Sequence, residues 1–325
     1  MARTMREASR RTTNLVAVAV ALAAVVVVLG AYTRLVDAGL GCPDWPGCYG
    51  MILVPESAEE IARAEAAFPE SPVEADKAWP EMIHRYAAAS LGLVVLVLAV
   101  LAVKGGLPWK LPVAIVLLVI VQGAFGAWTV TLKLWPQVVT THLLGGFATL
   151  ALLWVWWLAL RGPPWRVSPS LRGLSMATLV VVVAQVALGG WLTANYAALA
   201  CPDFPTCHGV WIPDMDFAAG FDIFQGVGPN YLGGLMSSDA RVAIHVAHRI
   251  GAVAVLLVAG WLAVRLGSRP LAWVLGGVLA LQLALGIANV VFALPLVVAV
   301  LHNAGAAALL LVVVTIYYAI RRLSA

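Results

Sequence analysis

The chain has 325 residues, of which 62% are hydrophobic and 11% are charged, and its mean hydropathy is +0.94. This composition excludes an ordinary soluble globular protein and indicates an integral membrane protein. The net charge is only +4, and we expect no nucleic-acid partner. Apolar stretches long enough to cross a bilayer, roughly 20 residues each, predict an all-α protein with eight helices at about 15–36, 82–103, 111–131, 138–160, 173–195, 242–264, 270–292 and 296–319.

The first apolar stretch follows a basic start that contains Arg3, Arg6, Arg10 and Arg11. A secretory signal peptide begins in the same way, but its apolar part is shorter. The stretch also belongs to an internal repeat. We therefore expect a retained first helix.

The sequence from about residue 16 to residue 160 occurs twice. The matched pairs are 159 to 164 residues apart: Cys42-Pro-Asp-Trp-Pro-Gly-Cys48 with Cys201-Pro-Asp-Phe-Pro-Thr-Cys207, His84-Arg85 with His248-Arg249, Gln122 with Gln282, and His142 with His302. A repeat that served helix packing alone would keep small and apolar residues, whereas here histidine and cysteine return. The repeat predicts a duplicated site in two tandem four-helix bundles. Because each bundle has an even number of helices, we expect a pseudo-two-fold axis along the membrane normal.

The basic residues predict the orientation in the membrane. In an eight-helix arrangement one side holds Arg3, Arg6, Arg10, Arg11, Lys104, Lys110, Arg161, Arg166, Arg172, Arg265, Arg269, Arg321 and Arg322. The positive-inside rule makes that side cytoplasmic, with both termini inside and two acidic loops outside. The predicted divisions are an N-terminal cytoplasmic segment 1–14, a first half 15–160 with outer loop 37–80, a cytoplasmic linker 161–172, a second half 173–319 with outer loop 196–240, and a cytoplasmic tail 320–325.

Each outer loop carries two cysteines with five residues between them. An oxidising compartment and a short proline-containing loop both permit disulfides, so we predict the bonds Cys42–Cys48 and Cys201–Cys207. Four free thiols are the alternative. Only His208 adjoins a pair, so a metal site would lack ligands. The motif for covalent attachment of c-type haem is absent from the sequence.

Histidine is scarce, and five of the six lie within predicted helices or at their mouths: His84, His142, His245, His248 and His302. An ionisable residue in a membrane helix is costly without a partner and indicates function. Two imidazoles that face each other across a four-helix bundle suit axial ligation of a haem iron. The predicted pairs are His84 with His142 and His248 with His302. Zinc would need three or four clustered ligands, whereas these histidines come one per helix.

Four glycines lie three or four residues beyond a histidine: Gly145, Gly146, Gly251 and Gly305. They allow either close approach of a macrocycle to the backbone or close helix packing. Gln122 and Gln282 are expected to form hydrogen bonds between helices.

Two arginines, Arg85 and Arg249, directly follow the second-helix histidine of each half. Near the outer surface they are placed to pair with the propionates of a haem. Extension toward lipid headgroups would explain the same placement.

The two halves differ in one chemically important position. Glu81 precedes His84 by three residues and shares its helical face, whereas His245 stands at the matching place before His248. A carboxylate beside a haem can relay protons during oxygen chemistry. Pairing with Arg85 is the alternative role for Glu81. We predict that the first half holds the haem that reacts and that the second half holds a permanent haem.

Together these residues resemble the haem A synthase family over about residues 15–320. The resemblance rests on Glu81-Met-Ile-His84-Arg85, Thr141-His142, His248-Arg249-Ile-Gly251, Leu301-His302-Asn303 and a Cys-Pro-x-x-Pro-x-Cys loop in each half. It implies oxidation of the methyl group at ring position C8 of haem O, through an alcohol, to the formyl group of haem A. One departure is the long first outer loop, in which Pro55–Phe68 is expected to form a short surface helix.

The resemblance also implies what the protein binds and where it lies. The expected cofactor is haem b in the second half, with haem O as substrate and dioxygen as co-substrate. Expected partners are the synthase that supplies haem O, an electron donor, assembly proteins of the terminal oxidase, membrane lipid and a second copy of the chain. The expected location is the bacterial plasma membrane.

Two other classes of function would use parts of the same pattern. A di-haem membrane cytochrome that only passes electrons needs paired histidines, but it gives no reason for Glu81 in one half alone. A haem transporter could use the same repeats, but it needs a path to the cytoplasmic side, where the helix ends are apolar and contain no histidine. The pattern therefore favours haem modification over electron transfer, and electron transfer over transport.

Overall fold

The apolar stretches fold as helices because the hydrocarbon of a bilayer offers no partner for a free backbone N–H or C=O group. The computed structural model describes residues 2–162, 165 and 167–323, with the side chains of 2–11, 322 and 323 left aside. Within these ranges the α-helices are α1 Ala2–Leu35, α2 Ala58–Ala67, α3 Ala75–Lys104, α4 Lys110–Thr131, α5 Pro136–Arg161, α6 Arg172–Ala194, α7 Phe217–Gly220, α8 Ser238–Leu266, α9 Pro270–Val291 and α10 Leu296–Leu323.

Eight of the described helices are long and apolar enough to cross a membrane, namely α1, α3, α4, α5, α6, α8, α9 and α10. The prediction of an all-α, eight-helix membrane protein is thereby confirmed. The loops α1–α3 and α6–α8, which carry the cysteines, lie on one side of the helices, which we call the cysteine-loop side. Which side of the membrane this is stays a prediction.

Several helices are longer than hydropathy predicted. α3 begins at Ala75 and not at residue 82. Hydropathy missed this start because the first turn carries the charged residues Asp76 and Lys77. Charged residues read as loop on a hydropathy scale, although an acidic residue stabilises a helix N-terminus. α8 likewise begins at Ser238, where Ser237 caps it by accepting a hydrogen bond from the Ala240 amide. The predicted outer loops 37–80 and 196–240 are therefore shorter than expected.

The first and last helices are also longer than predicted. α1 runs back to Ala2 through the predicted segment 1–14, and α10 runs on to Leu323 into the predicted tail 320–325. Residues 163, 164 and 166 of the predicted linker 161–172 lie outside the described residues, as do residues 324 and 325 of the predicted tail. The prediction for Arg166 therefore also falls outside them.

The four spanning helices of each half pack in the same order. In the first half α1 contacts α3 and α5, while α4 contacts the same two helices; in the second half α6 contacts α8 and α10, while α9 contacts those two. The halves meet where α1 packs on α10, α5 on α6, and α5 on α10. Trp154 of α5 donates a hydrogen bond to the Thr315 hydroxyl of α10 over 2.8 Å at this junction. The symmetry axis itself stays a prediction.

A single arginine also links the halves on the cysteine-loop side. Arg34, in the last turn of α1, donates a hydrogen bond over 2.7 Å to the carbonyl of Thr193 in the last turn of α6. Its guanidinium carbon lies 4.0 Å from the centre of the Tyr196 ring. Arg34 also pairs with Asp37 at 3.4 Å. The C-terminal ends of α1 and α6 are thereby held together.

The short surface helix predicted within Pro55–Phe68 is present as α2. Ser57 and Glu60 form a reciprocal capping box at its start, the arrangement that satisfies two free amides at a helix N-terminus. Ala64 of α2 packs in a buried cluster with Cys42, Cys48 and Tyr49. α2 therefore covers the first disulfide loop.

Candidate functional site

The two histidines of the first half face each other across the bundle. His84 projects from α3 and His142 from α5, and their ring centres lie 6.5 Å apart with the ring planes at 88°. Their Nδ1 atoms are buried and, among the described residues, have no hydrogen-bond partner. Buried polar atoms almost always have a partner. The pair therefore offers nitrogen atoms to a ligand.

The spacing fits a haem iron between the rings. A metal–nitrogen bond of roughly 2 Å on each side would place the centres of two axial imidazoles roughly 6 Å apart. Among the described residues no three histidine, cysteine, aspartate or glutamate side chains cluster as they would around a zinc ion. The donor set thus suits a haem better than a bare metal ion.

Each first-half histidine lies against a glycine of a neighbouring helix. A Cβ atom added at Gly30 of α1 would lie 2.9 Å from Cε1 of His84, and one at Gly126 of α4 would lie 3.5 Å from Cε1 of His142. Real Cβ atoms do not approach another carbon as closely as 2.9 Å, so Gly30 cannot become larger without moving the ring. These glycines make room for the imidazoles.

The second half repeats this arrangement. His248 of α8 lies against Gly189 of α6, and His302 of α10 against Gly286 of α9, with added Cβ atoms at 3.2 and 3.1 Å from Cε1. Nδ1 of His302 is buried and lacks a hydrogen-bond partner within the described chain. The contacts between histidine and glycine in the first half are thus repeated in the second.

A glutamine distinguishes the second half from the first. The amide nitrogen of Gln185, on α6, lies 3.1 Å from Nδ1 of His248 and donates to the His248 carbonyl over 2.9 Å. Its side chain covers Gly251, where an added Cβ would be 2.0 Å from its oxygen. The matching residue of the first half, 159 positions earlier, is Val26. The glutamine side chain beside His248 therefore has no counterpart side chain that can form a hydrogen bond at the matching position of the first half.

The glycines beyond the histidines serve helix packing in this structure. The side chain of Gln122 fills the place of a side chain at Gly145, and Gln282 does the same at Gly305. Gln282 also brings its amide nitrogen to 3.5 Å from Nε2 of His302. The geometry favours the packing role for Gly145 and Gly305. The expected contact between helices is present for Gln282, whereas the buried side-chain oxygen of Gln122 has no hydrogen-bond partner among the described residues.

Glu81 is buried, with 4% of its surface exposed, and both of its oxygens are engaged. One oxygen pairs with Arg85 at 2.5 Å, and the other accepts the amide of Cys42 at 3.0 Å. Arg85 also donates to the carbonyls of Asp44 and Gly47, at 3.0 and 2.5 Å. Glu81 and Arg85 therefore fix the first disulfide loop to the helix that carries His84.

Arg249 holds the second disulfide loop as Arg85 holds the first, and His245 lies beside it. Nδ1 of His245 lies 3.4 Å from the amide nitrogen of Cys201 and 3.0 Å from the carbonyl of Ala197. Arg249 donates to the carbonyls of Asp203 and Thr206, at 2.7 and 2.8 Å. An imidazole thus stands where the first half has a carboxylate.

Both cysteine pairs are bonded as predicted, Cys42 to Cys48 and Cys201 to Cys207. In the second loop Asp203 accepts the amides of His208 and Gly209, at 2.6 and 3.1 Å, and the Thr206 hydroxyl. These hydrogen bonds, the one from Thr206 first, lower the pKa of Asp203 below its ordinary value.

The first loop has an equivalent aspartate and an additional tyrosine. Asp44 accepts the amides of Tyr49 and Gly50, at 2.6 and 2.8 Å. Burial, assisted by nearby carboxylates such as Glu74, raises the pKa of Tyr49. The neutral hydroxyl of Tyr49 donates to the carbonyl of Pro72 over 2.8 Å. The first loop is therefore fixed on two sides.

Sequence reasoning did not find the glycines under the histidines. Gly30 and Gly189 are 159 residues apart, and Gly126 and Gly286 are 160 apart, so the repeat itself contained the signal. Gln185 has no glutamine counterpart, and no pattern in the chain marks it. The contact of His245 with the Ala197 carbonyl was also missed.

Two comparisons relate this chain to known proteins. Residues 13–314 match the model of a family described as cytochrome oxidase assembly protein, COX15-CtaA. The haem A synthase of Shewanella oneidensis is 50% identical over 304 residues, which cover 90% of this chain and 92% of that protein. The haem A synthase of a Caulobacter species is 33% identical, covering 94% of each chain, and that of Caulobacter vibrioides is 31% identical, covering 91% and 92%.

Proposed function

Since the chain belongs to the haem A synthase family of cytochrome oxidase assembly proteins, we propose that it oxidises the C8 methyl group of haem O, through an alcohol, to the formyl group of haem A. It is an oxidoreductase and a multi-pass membrane protein. An oxygen-dependent conversion of a methyl group to an alcohol consumes one dioxygen, two electrons and two protons, and it releases one water. A second round gives the hydrated aldehyde, which loses water.

The first half is the proposed substrate site. His84 and His142 would hold the haem O substrate, because their rings face each other at 6.5 Å with buried Nδ1 atoms that lack partners among the described residues. This facing pair, whose His84 lies on the same helix as the buried Glu81, is the observation that carries the proposal.

The second half is the proposed site of a resident haem b. His248 and His302 would be its axial ligands, and Gly189 and Gly286 leave space for their rings. A bis-imidazole haem supplies one-electron transfer when bound. Gln185 holds the backbone of His248 at 2.9 Å, which suits a ligand that keeps one position.

Glu81 is the proposed proton-handling residue of the first half. Its carboxylate accepts hydrogen bonds from Arg85 and from the Cys42 amide. A proton that binds to Glu81 must therefore bind to an oxygen that already accepts a hydrogen bond. A carboxylate held in this way can pass a proton on while Arg85 keeps it in position. Arg85 and Arg249 are the proposed partners of the haem propionates, since a carboxylate is a stronger acceptor for arginine than the loop carbonyls that they now contact.

The experiment is production of the chain in bacterial cells that make haem O but no haem A, followed by pigment extraction and mass analysis. We expect haem A and its alcohol intermediate. The matched control is the His84→Ala/His142→Ala variant, in which only haem O should be found. Haem O alone from the unmodified chain, present in the membrane at the same level as in the control, would contradict the proposal.

We further propose that the cysteine-loop side faces outward from the bacterial plasma membrane. Lys104, Lys110, Arg161, Arg172 and Arg265 lie at helix ends on the opposite side, as the positive-inside rule requires of cytoplasmic ends. A thiol reagent that cannot cross membranes should label intact cells only after reduction. Labelling without reductant would contradict the disulfides, and no labelling after reduction would contradict this orientation.

The proposed partners follow from the reaction. The enzyme that makes haem O supplies the substrate, an electron donor provides reducing equivalents for dioxygen, and assembly proteins of the terminal oxidase receive the product. A second copy of the chain is a further proposed partner.

A further inference from the structure

Each disulfide loop ends in two exposed apolar residues. In the first loop Ile52 and Leu53 are 81% and 60% exposed, and in the second Trp211 and Ile212 are 76% and 84% exposed. The two pairs occupy matching positions 159 residues apart. We call these four residues the loop tips. Exposure of such side chains to water is unfavourable, by about 25 cal/mol for each Å².

The depth of the first tip can be read from its contact with α3. The hydroxyl of Tyr86 donates a hydrogen bond to the carbonyl of Ile52, so the tip lies beside the third turn of α3. The hydrocarbon core of a bilayer takes about 20 helical residues. Counted back from Lys104, at the opposite end of α3, this length reaches about Arg85. The first tip therefore lies where hydrocarbon meets headgroups.

The second disulfide loop meets α8 at the matching arginine. Arg249 contacts the loop through Pro205 and Thr206, as Arg85 contacts the first loop through Pro46 and Gly47. About 20 residues counted back from Arg265 reach about Val246, within one helical turn of Arg249.

We propose that the loop tips insert into the lipid leaflet on the cysteine-loop side and bind the interface between headgroups and acyl chains. Aliphatic side chains are stable in acyl chains, and tryptophan prefers this interface. Short hairpins closed at Cys48–Met51 and Cys207–Val210 present the tips as fixed units. Arg85 and Arg249 tie each disulfide loop to the helix of a proposed haem ligand, so lipid contact at the tips would set the height of the loop above each histidine pair. The proposal does not depend on the catalytic assignment.

The test uses spin labels on single introduced cysteines. All four native cysteines are in disulfides, so Ile52→Cys and Trp211→Cys each provide the one free thiol. The labelled full-length protein is placed in vesicles of phosphatidylcholine and phosphatidylglycerol. Collision with oxygen, which concentrates in acyl chains, is compared with collision with a water-soluble nickel chelate. Leu93→Cys, on the exposed middle of α3, is the lipid reference, and Glu59→Cys, on exposed α2, is the water reference.

We expect both tip labels to favour oxygen, as the Leu93 label does. Nickel accessibility equal to that of the Glu59 label would overturn the proposal, because the tips would then lie in water. Protection from both reagents would also overturn it, because a protein would then cover the tips. Ile52→Ser/Leu53→Ser should shift a neighbouring label, at Met51→Cys, toward nickel. Circular dichroism checks that each variant is folded. A spin label at Glu59→Cys, placed in the serine variant, should also keep its accessibility to the nickel chelate.

Discussion

The two disulfide loops are held by the same geometry and by different chemistry. In each half a buried side chain four residues before an arginine contacts the amide of the first cysteine: Glu81 at 3.0 Å from Cys42 and His245 at 3.4 Å from Cys201. The second half reaches this arrangement without a carboxylate. A buried charge has a large desolvation cost even when it is paired. The comparison teaches that the fold does not require the charge of Glu81, which favours a role for it in the chemistry of the first half.

The covering of the loops differs as well. α2 packs on the first disulfide loop through Ala64, whereas the second loop borders an open cavity lined by His208, Asp214 and Asp239. Instead, residues beyond this loop reach across to the first half, where Trp135 donates to the carbonyl of Gln225 over 2.9 Å. The first half is therefore the more enclosed of the two on the cysteine-loop side.

The largest expected effect separates the two histidine pairs. His302→Ala should abolish the low-spin, bis-imidazole haem signal of the purified protein, because the proposed resident haem loses an axial ligand. His84→Ala should keep that signal and lose haem A formation. Electron paramagnetic resonance and pyridine haemochrome analysis measure both. Equal loss of the low-spin signal in the two variants would contradict the division of roles between the halves.

The next effect tests whether the charge of Glu81 matters beyond its hydrogen bonds. Glu81→Gln keeps an acceptor for the Cys42 amide but removes the negative charge. We expect haem A formation to fall by about 10²-fold or more, as when a general acid or base is lost, with haem content largely kept. His245→Gln, the matched change in the other half, should have a much smaller effect. The ratios of haem O, alcohol and haem A in cells measure the outcome.

Two controls keep this experiment interpretable. Glu81→Gln also leaves Arg85 without its ion pair, and breaking a buried pair can destabilise a protein by about 3–5 kcal/mol. Thermal unfolding of both variants shows whether the loop anchor has failed. Normal haem A from Glu81→Gln, or equal loss from His245→Gln, would mean that the difference between the halves has no catalytic significance.

A smaller effect compares the glycines under the first histidine pair. Gly30→Ala places a Cβ atom 2.9 Å from His84, whereas Gly126→Ala places one at 3.5 Å from His142, an ordinary contact. Overpacking costs about 1–3 kcal/mol, so Gly30→Ala should weaken retention of haem O by roughly tenfold or more. Gly126→Ala should change it little. Retention of haem O through purification measures both, and equal behaviour would show that the ring of His84 moves freely.

The smallest expected effect concerns acid. The pKa of Asp203 is lowered, chiefly by the hydroxyl of Thr206, so its stabilising contribution is complete above the ordinary pKa of aspartate. It is lost as the pH falls through the lowered value. The amide signal of ¹⁵N-labelled Gly209 should therefore shift only in strong acid. In Asp203→Asn this transition should vanish, and its persistence would assign it to another group.

The helices could be predicted from the sequence because a bilayer allows few alternatives to a long apolar helix. The start of α3 was missed because Asp76 and Lys77 are polar although they are helical. The histidines were found because a buried imidazole is rare in such a chain. The engagement of Arg85 with the carbonyls of Asp44 and Gly47 was not predicted, because backbone acceptors leave no mark in a sequence.

The contact between Arg34 and the end of α6 has a consequence for how the protein is made. The ribosome delivers α1 to the membrane first, and Thr193, whose carbonyl accepts from Arg34, follows 159 residues later. Until then the guanidinium can pair with Asp37 but lacks the Thr193 carbonyl. The hydrogen bond that Arg34 makes between the halves therefore forms only after the fifth spanning helix has been inserted.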